Sequence, residues 1–311
     1  MHKYCIFISL LLTWNMVHPQ TLNKIGEPTQ LTPRNAPFLM CPRWSPVASQ
    51  IMATGANYSG IYLISFPKGE LSQVTDEPAA GYGAVWSHDG KFIAARVANF
   101  ENQHRFNQIV VFDISKSIRI PLSSFESNLP GTPLWSKDDH FLYLNATDKI
   151  RTYPVSSEQK SLDLNDYLFV KNDQIFTLSS DLAIATRNEE IGRILSLQPA
   201  PDCSRYAVET FAGAILITDA RGRIITQIQT GIHPSWSPDG KHVSYSVTAD
   251  DGHRLTASDI YVLTVDSHKI QRLTDTPEQI EINPTWSPDS HWIAYDEVKT
   301  GLILVQNIKI E

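Results

Sequence analysis

Aspartate and histidine side chains are the first candidates for chemistry in this 311-residue chain. Five aspartates recur in similar turn phrases and could in principle act as acids or metal ligands: Asp89, Asp138, Asp202, Asp239 and Asp289. Aspartate at such a turn position hydrogen-bonds its own backbone. The five copies are also widely spaced along the chain. We therefore interpret them as structural residues.

The other motifs that carry chemistry are missing from the sequence. The ten histidines include no His-Glu-x-x-His pair of a zinc site. There is no Gly-x-Ser-x-Gly nucleophile motif, no EF-hand loop and no glycine-rich phosphate loop. We therefore expect no catalytic residue, no metal site and no cofactor.

The phrase that holds these aspartates also supplies the fold prediction. It begins with a tryptophan and reads Trp-Ser-Pro-Asp-Gly-Lys in its fullest copy, residues 236–241. A worn copy lies at 199–203, and the tryptophan copies are Trp44, Trp86, Trp135, Trp236 and Trp286. A repeat of about 40–50 residues with a turn at a fixed place is typical of β-propellers.

Each repeat predicts one blade of four antiparallel strands in an all-β fold. In the unit 232–274 the Trp236 strand is followed by a Pro-Asp-Gly turn, an alternating strand, a β-branched strand and a short polar strand. Segments of the third-strand type favour seven blades, and six is the alternative. The tryptophans then become blade-to-blade packing residues rather than sugar-stacking ones.

Closure of the ring is expected to involve the N-terminus. The last unit stops after its third strand, Leu302 to Ile308, and Pro28–Thr32 resembles the fourth strands of other units. We therefore expect an N-terminal strand to complete the last blade, which removes the open edges of the array.

Composition and the N-terminal residues bear on compartment and domains. The net charge of −7, with no basic run, argues against nucleic acid or an anionic membrane surface as partner. The apolar run 4–14 is too short to span a bilayer and resembles a secretory signal. We expect residues 1–20 to be a signal segment and 21–311 one propeller domain, periplasmic or secreted and monomeric, with Cys41 and Cys203 unpaired.

The phrase Pro-x-Trp-Ser-Pro-Asp-Gly-Lys resembles the PD40 repeat, the WD40-like propeller repeat of the TolB family. The best matches are residues 234–241 and 284–289, and Leu-Thr-Asp at 273–275 also looks like that family. The resemblance covers about Thr29 to Ile310. It implies an exported propeller that binds a partner, and we expect a non-enzymatic scaffold whose partner is a protein or peptide of the cell envelope. TolB proteins carry an α/β domain before the propeller, and we expect no such domain here.

Propellers of this type bind partners where the loops into the first strands gather around the axis. The side chains in those segments predict a site for a protein or peptide: Phe38, Tyr82, Asn128, His233, Glu281 and Asn283. Two segments, 98–107 and 248–258, are expected to be long loops between second and third strands, and long loops often carry function.

Two alternatives to a binding scaffold remain open. Oligogalacturonate lyases are propellers that hold a metal through channel histidines, and only His233 is suitably placed here. A polysaccharide-binding envelope protein would need an exposed aromatic strip, for which Tyr82, Phe100 and Phe106 are candidates.

Overall fold

The computed structural model describes residues 22–47, 49–127, 129, 131–145, 150–155, 167–171, 174–178, 183–186 and 191–310. The predicted signal segment, residues 1–20, lies outside these described residues. Within them, no helix has the length and apolar character needed to cross a membrane.

The strands of the described chain pair antiparallel and are arranged in consecutive meanders. Blade 1 consists of β2 (Leu39–Trp44), β3 (Gln50–Gly55), β4 (Ile61–Ser65) and β5 (Leu71–Thr75), with a one-turn 3-10 helix at Ala56–Tyr58. Blade 2 consists of β6 (Val85–Trp86), β7 (Phe92–Glu101), β8 (His104–Asp113) and β9 (Ile118–Pro121). The described strands of blade 3 are β10 (Pro133–Trp135), β11 (Phe141–Asn145) and β12 (Ile150–Pro154).

The second half repeats this arrangement. Blade 4 consists of β16 (Ile194–Pro199), β17 (Arg205–Thr210), β18 (Ile215–Asp219) and β19 (Ile224–Ile228). Blade 5 consists of β20 (Ile232–Trp236), β21 (His242–Asp250), β22 (Leu255–Thr264) and β23 (Lys269–Arg272). Blade 6 consists of β24 (Glu281–Trp286), β25 (Trp292–Glu297), β26 (Leu302–Ile310) and the N-terminal β1 (Leu22–Gln30).

A further sheet of three strands lies between blades 3 and 4. It consists of β13 (Tyr167–Lys171), β14 (Gln174–Leu178) and β15 (Ala183–Thr186). It has no tryptophan phrase, and no fourth strand is present among its described residues. The prediction of seven four-stranded blades is therefore wrong, and six blades carry the repeat. The physical reason is chain length, because the segment between Trp135 and Pro199 is too short for two complete units.

Ring closure by an N-terminal strand is confirmed. β1 pairs antiparallel with β26 from Leu22↔Ile310 to Gln30↔Leu304, with an irregularity between Ile25 and Thr29. It therefore begins earlier than the predicted Pro28–Thr32 segment. Leu22 is buried and its backbone also exchanges hydrogen bonds with the Gln271 side chain of blade 5, at 3.2 and 2.9 Å.

The two segments predicted as long loops are instead extended hairpins. β7 and β8 remain paired as far as Glu101↔His104, and β21 and β22 as far as Asp250↔Leu255. The prediction was wrong because cross-strand pairing continues through polar residues that carry no hydrophobic alternation.

Hydrophobic seams between neighbouring sheets form the core. Trp44 and Ile51 of blade 1 pack with Ala294 and Ile303 of blade 6, which closes the ring. Equivalent seams join blades 1 and 2, 2 and 3, 4 and 5, and 5 and 6. At a sixth seam Val170 of β13 packs on the cluster around Tyr206 of blade 4.

Alternating strand directions give the ring two distinct faces. The connections from fourth to first strands and the second-to-third hairpins gather on one face, which we call the upper face. The tryptophan turns and the third-to-fourth connections gather on the lower face.

Removal of β1 is expected to open the ring. A chain starting at residue 31 should melt about 10 °C or more below a chain starting at residue 21, because each kcal/mol lost shifts Tm by roughly 2–4 °C in a large domain. It should also form oligomers, because the edge of β26 becomes unpaired. Thermal unfolding and size-exclusion chromatography measure both effects. Equal melting temperatures in monomeric chains would contradict the closing role of β1.

Candidate functional site

The turn phrase places each tryptophan at the end of a first strand and locks the turn that follows. Ser237 Oγ donates to Asp239 Oδ1 at 2.6 Å and accepts the backbone N–H of His242 at 2.9 Å. The same bonds join Ser87, Asp89 and Phe92. Ser287 and Asp289 repeat this bond in blade 6. The turn aspartates thus bind their own turns on the lower face.

The tryptophans themselves lie between blades. Trp44, Trp135, Trp236 and Trp286 are buried and Trp86 is half-buried. Three indole N–H groups donate to a carbonyl oxygen of the preceding blade: Trp86 to Arg43, Trp135 to Val85, and Trp236 to Gln198.

A β-bulge three residues before the tryptophan turns a side chain toward the axis in several blades. The bulged residues are Cys41, His233 and Asn283, with φ of 54°, 54° and 56°, and the strand register shifts at each of them. Such bulges re-aim side chains and are common near binding sites. In blade 2 the position is Gly83, where a Cβ would lie 2.2 Å from the Thr132 side chain.

The bulged residues form one ring, and a second ring consists of polar residues ten positions after each tryptophan. In the worn copy the position is counted from Pro199. In the register, these second-strand residues face the residue before the bulge in blades 1, 5 and 6. The ring members whose side chains the structure describes are buried or half-buried: Thr54, Arg96, Glu209, Ser246 and Asp296. Together with the bulged residues they line what we call the axial channel.

Asp296 connects the last blade to the first. Its Oδ1 accepts hydrogen bonds from Asn283 Nδ2 at 2.9 Å and from the backbone N–H of Cys41 at 3.0 Å. Only 2% of Asp296 is exposed, and this burial raises the pKa of its carboxyl to about 7. The carboxyl is therefore partly protonated at neutral pH.

Arg43 and His233 are solvent-exposed side chains on the first strands of blades 1 and 5. Desolvation lowers the pKa of Arg43, and the neighbouring thiol of Cys41 and phenol of Tyr58 oppose this effect. Desolvation also lowers the pKa of His233, with Glu209 opposing and Arg43 reinforcing the shift. His233 is therefore a neutral imidazole at pH 7.

The Cys41 thiol is not a nucleophile in this setting. Burial and the nearby Asp296 raise its pKa to about 12, so the thiolate that attacks substrates is not populated near neutrality. Among the described residues, no group of three or more histidine, cysteine, aspartate or glutamate side chains is arranged to hold a metal ion.

Two tyrosines stand at the upper mouth of the channel. The rings of Tyr58 and Tyr82 meet edge to face with centroids 5.2 Å apart. The Arg96 guanidinium lies 5.7 Å from the Tyr82 ring centroid and donates to the carbonyl oxygens of Gly131 at 2.6 Å and Leu129 at 3.1 Å. These contacts fix the mouth between blades 1, 2 and 3.

The predicted partner-binding residues have different surroundings. Phe38 and Tyr82 are 39% and 46% exposed on the upper face. His233 and Asn283 line the channel, and Asn283 is bound to Asp296. Asn128 lies outside the described residues.

Glu281 does not belong to the surface set, because none of its surface is exposed. Its Oε1 accepts a hydrogen bond from Thr276 Oγ1 at 2.8 Å. Burial raises the pKa of Glu281, so a neutral carboxyl is favoured inside the seam between blades 5 and 6.

Sequence reasoning missed the residues with the most distinctive charge environment, which are Arg43, Arg96, Glu209 and Asp296. The signal that identifies the ring is the constant offset of ten residues from the tryptophan. Arg43, immediately before Trp44, has no such signal, because other units place Val85, Leu134 or Ser235 there.

Solved structures similar to this chain are propellers from different proteins. The Cps50 (Swd1) β-propeller domain of Myceliophteria thermophila has a TM-score of 0.60 at 11% identity, covering 92% of this chain and 99% of that one. The RRP9 WD40 repeats have a TM-score of 0.63 at 10% identity, covering 93% and 100%. A putative TolB from Agrobacterium tumefaciens has a TM-score of 0.53 at 16% identity, covering 88% and 90%.

Comparisons at the level of sequence find no relative. No family model matches the chain, and no curated protein matches it. The structural similarities, all at low identity, establish that the chain has a β-propeller fold.

The buried Asp296 carboxyl predicts a pH-dependent stability. Because its folded pKa is raised, the stabilising contribution of its proton is complete below the ordinary aspartate pKa of 3.8 and is lost as pH rises through about 7. Asp296→Asn keeps the Oδ1 acceptor but has no titrating proton. Between pH 5 and pH 7.5 its free energy of unfolding should therefore fall by about 1–3 kcal/mol less than that of the parent. Urea unfolding at both pH values measures the difference.

The matched control for this measurement is Asp76→Asn, which alters an exposed carboxyl on the same protein. It should follow the parent profile. Parallel pH profiles for the parent and Asp296→Asn would show that the Asp296 carboxyl does not bind a proton in this range.

Proposed function

We propose that this chain is a non-enzymatic scaffold of the cell envelope that binds a protein or peptide on its upper face and acts as a monomer. The observation that carries the proposal is the distribution of exposed aromatic side chains. All five that are strongly exposed in the described chain lie on upper-face connections or hairpins: Phe38, Tyr82, Phe100, Phe125 and Phe211.

Exposed aliphatic residues, unlike the exposed aromatic ones, are not confined to the upper-face connections and hairpins. Val47 and Ile118 lie on the lower face, Ile25, Ile224, Ile225 and Ile270 lie on outer strands, and Leu134 and Leu195 lie on the first strands of blades 3 and 4. Isolated exposed aliphatic residues are normal on protein surfaces, whereas aromatic residues are enriched at protein interfaces. A partner that covers the upper face would bury the aromatic set together.

The rigidity of the upper face supports recognition by display. The Arg193 guanidinium lies 4.8 Å from the Phe211 ring centroid, and the Phe211 backbone N–H donates to the Arg193 carbonyl at 2.8 Å. Phe100 stands on a strand paired with Arg105. Aromatic groups held on strands and hairpins lose little conformational entropy on binding.

Two sequence features support the proposed envelope location and protein partner. They are the N-terminal apolar run and the resemblance of the repeat to that of TolB proteins. A putative TolB is also among the similar structures. Export would place the upper face in contact with envelope proteins.

The test compares the two faces of the propeller. Mature protein, an upper-face variant (Phe100→Ser with Phe211→Ser) and a control variant (Val47→Ser with Ile270→Ser) are used to capture partners from an envelope extract. We expect one partner to be retained by the parent and the control, and purified partner to bind the upper-face variant at least tenfold more weakly.

Other outcomes reject the proposal. Equal binding by the upper-face variant would exclude this face as the docking site. Stoichiometric transition metal in the purified chain, together with cleavage of an oligogalacturonate, would replace the scaffold with the channel-enzyme alternative.

A further inference from the structure

The seam between blades 5 and 6 contains several buried polar atoms without a hydrogen-bond partner. In the described chain, eleven buried side-chain nitrogen or oxygen atoms lack such a partner. Four of them lie on the facing sides of this one seam: His242 Nε2, Ser246 Oγ, Trp286 Nε1 and Tyr295 OH. Buried polar atoms in folded proteins are nearly always hydrogen-bonded, so this concentration calls for a physical explanation.

The indole hydrogen bond that joins other blades is missing at this seam. Three tryptophans elsewhere in the ring donate to a carbonyl oxygen one blade back, as Trp236 does to Gln198. The residue that corresponds to Gln198 for Trp286 is Ser235, and its carbonyl accepts Ser244 Oγ at 3.3 Å. The Trp286 ring is therefore held against blade 5 by packing alone.

His242 occupies an aromatic packing position of the repeat. It lies six residues after Trp236, and its ring stacks on Trp286 of blade 6 with centroids 6.0 Å apart. The same position in blade 2 is Phe92, whose ring centroid lies 6.3 Å from that of Trp135 in blade 3. Blade 5 thus places a titratable imidazole where blade 2 has a phenyl ring.

A proton on the His242 imidazole is poorly accommodated in the closed seam. The residue is fully buried, and Nδ1 lies 3.1 Å from Thr264 Oγ1. Nε2 has no partner, so the protonated ring would bury an N–H donor without an acceptor. The Trp286 ring attracts a cation weakly at 6.0 Å, which is the outer limit of cation–π contacts. Burial also lowers the pKa of His242 below its ordinary value of 6.5.

The charged groups of blade 5 near His242 do not reverse this effect. Asp239 and Asp266 oppose the lowering of its pKa, and Lys241 reinforces it. Asp239 Oδ1 is bound within its own turn, and Asp266 pairs with Arg205 of blade 4 at 2.9 Å. Both carboxylates are therefore engaged away from the imidazole.

The titratable groups of blade 6 also leave an imidazolium unbalanced. Burial raises the pKa of both Glu281 and Tyr295, so their neutral forms are favoured. The Glu297 carboxylate accepts three backbone N–H groups at 2.9 to 3.2 Å. The turn of blade 6 adds the exposed Asp289 and His291, whose Nδ1 lies 3.7 Å from Asp289 Oδ1.

We propose that the seam between blades 5 and 6 is an acid-sensitive joint of the ring, at which protonation of His242 separates its imidazole from Trp286 and admits water between the blades. Opening lets water satisfy the unpartnered polar atoms, which lowers its cost. This inference goes beyond the binding proposed for the upper face and does not depend on it.

The sign of the pH dependence follows from the lowered pKa. Opening restores the ordinary pKa of His242, so the open seam binds the proton more tightly than the closed one. The closed seam is therefore fully stable above pH 6.5 and loses stability as pH falls below that value, until the pKa of the closed state is reached. In this range the opening equilibrium constant rises by up to about tenfold per pH unit.

Hydrogen exchange at pH 7 and pH 5, corrected for the intrinsic pH dependence of exchange, measures opening at each seam. We expect the opening constant of segments 242–247 and 281–286 to rise about tenfold or more at the lower pH. Segment 92–97, in the corresponding seam of blades 2 and 3, should stay constant. The Asp296 carboxyl acts in the opposite direction, because its raised pKa stabilises the protein at the lower pH.

His242→Phe tests the role of the imidazole, because blade 2 already has Phe92 at this position. We expect the variant to abolish the rise in opening at segments 242–247 and 281–286. The matched control, His253→Asn, removes an exposed histidine from the same blade and should behave like the parent.

NMR titration of His242 in the parent adds a measurement that needs no variant. We expect the ring to remain neutral at pH 6.5, and a pKa at or above that value would overturn the proposal. An unchanged pH dependence in His242→Phe would overturn it as well. An equal rise in exchange at segment 92–97 would place the acid sensitivity outside this seam and would also reject the joint.

Discussion

The contact between each tryptophan and the preceding blade controls the geometry of the whole ring. The indole ring fills the hydrophobic seam, and in three blades its N–H also donates to a backbone carbonyl one blade back. This contact combines apolar burial with a directional hydrogen bond. First strands are thereby held at a fixed height and rotation relative to their neighbours.

That constraint explains why the channel residues fall into rings. A residue three positions before a tryptophan and one ten positions after it are placed at the same level in successive blades, since the turn between them is locked by Ser-to-Asp and Ser-to-backbone bonds. The repeat can therefore vary at these positions without changing the fold. Asp296, for example, is bound within its own blade by Asn283 and across the ring closure by the Cys41 backbone of blade 1.

Strand positions could be predicted from the sequence wherever the tryptophan phrase is present, but not in the segment where it is missing. Turns with Trp-Ser-Pro-Asp determine strand ends, so first strands end at Trp44, Trp236 and Trp286 as expected. Between Trp135 and Pro199 no phrase marks the units, and the blade number was overestimated. The site was only partly predictable, because a loop position cannot distinguish an exposed Tyr82 from a fully buried Glu281. The β-bulges at His233 and Asn283 were also not predictable, because the bulged residue with positive φ is not a glycine in either strand.

The pairing of β1 with β26 also determines how the protein responds to force and attachment. Leu22 faces Ile310 across an antiparallel pair, so the first and last described residues lie together at one outer corner of the lower face. A pull on Leu22 and Ile310 would load the hydrogen bonds of this pair one after another rather than all together, so the two strands would separate progressively from that end. An attachment beside Leu22 or beside Ile310 would hold the propeller at this corner, with the upper face on the opposite side.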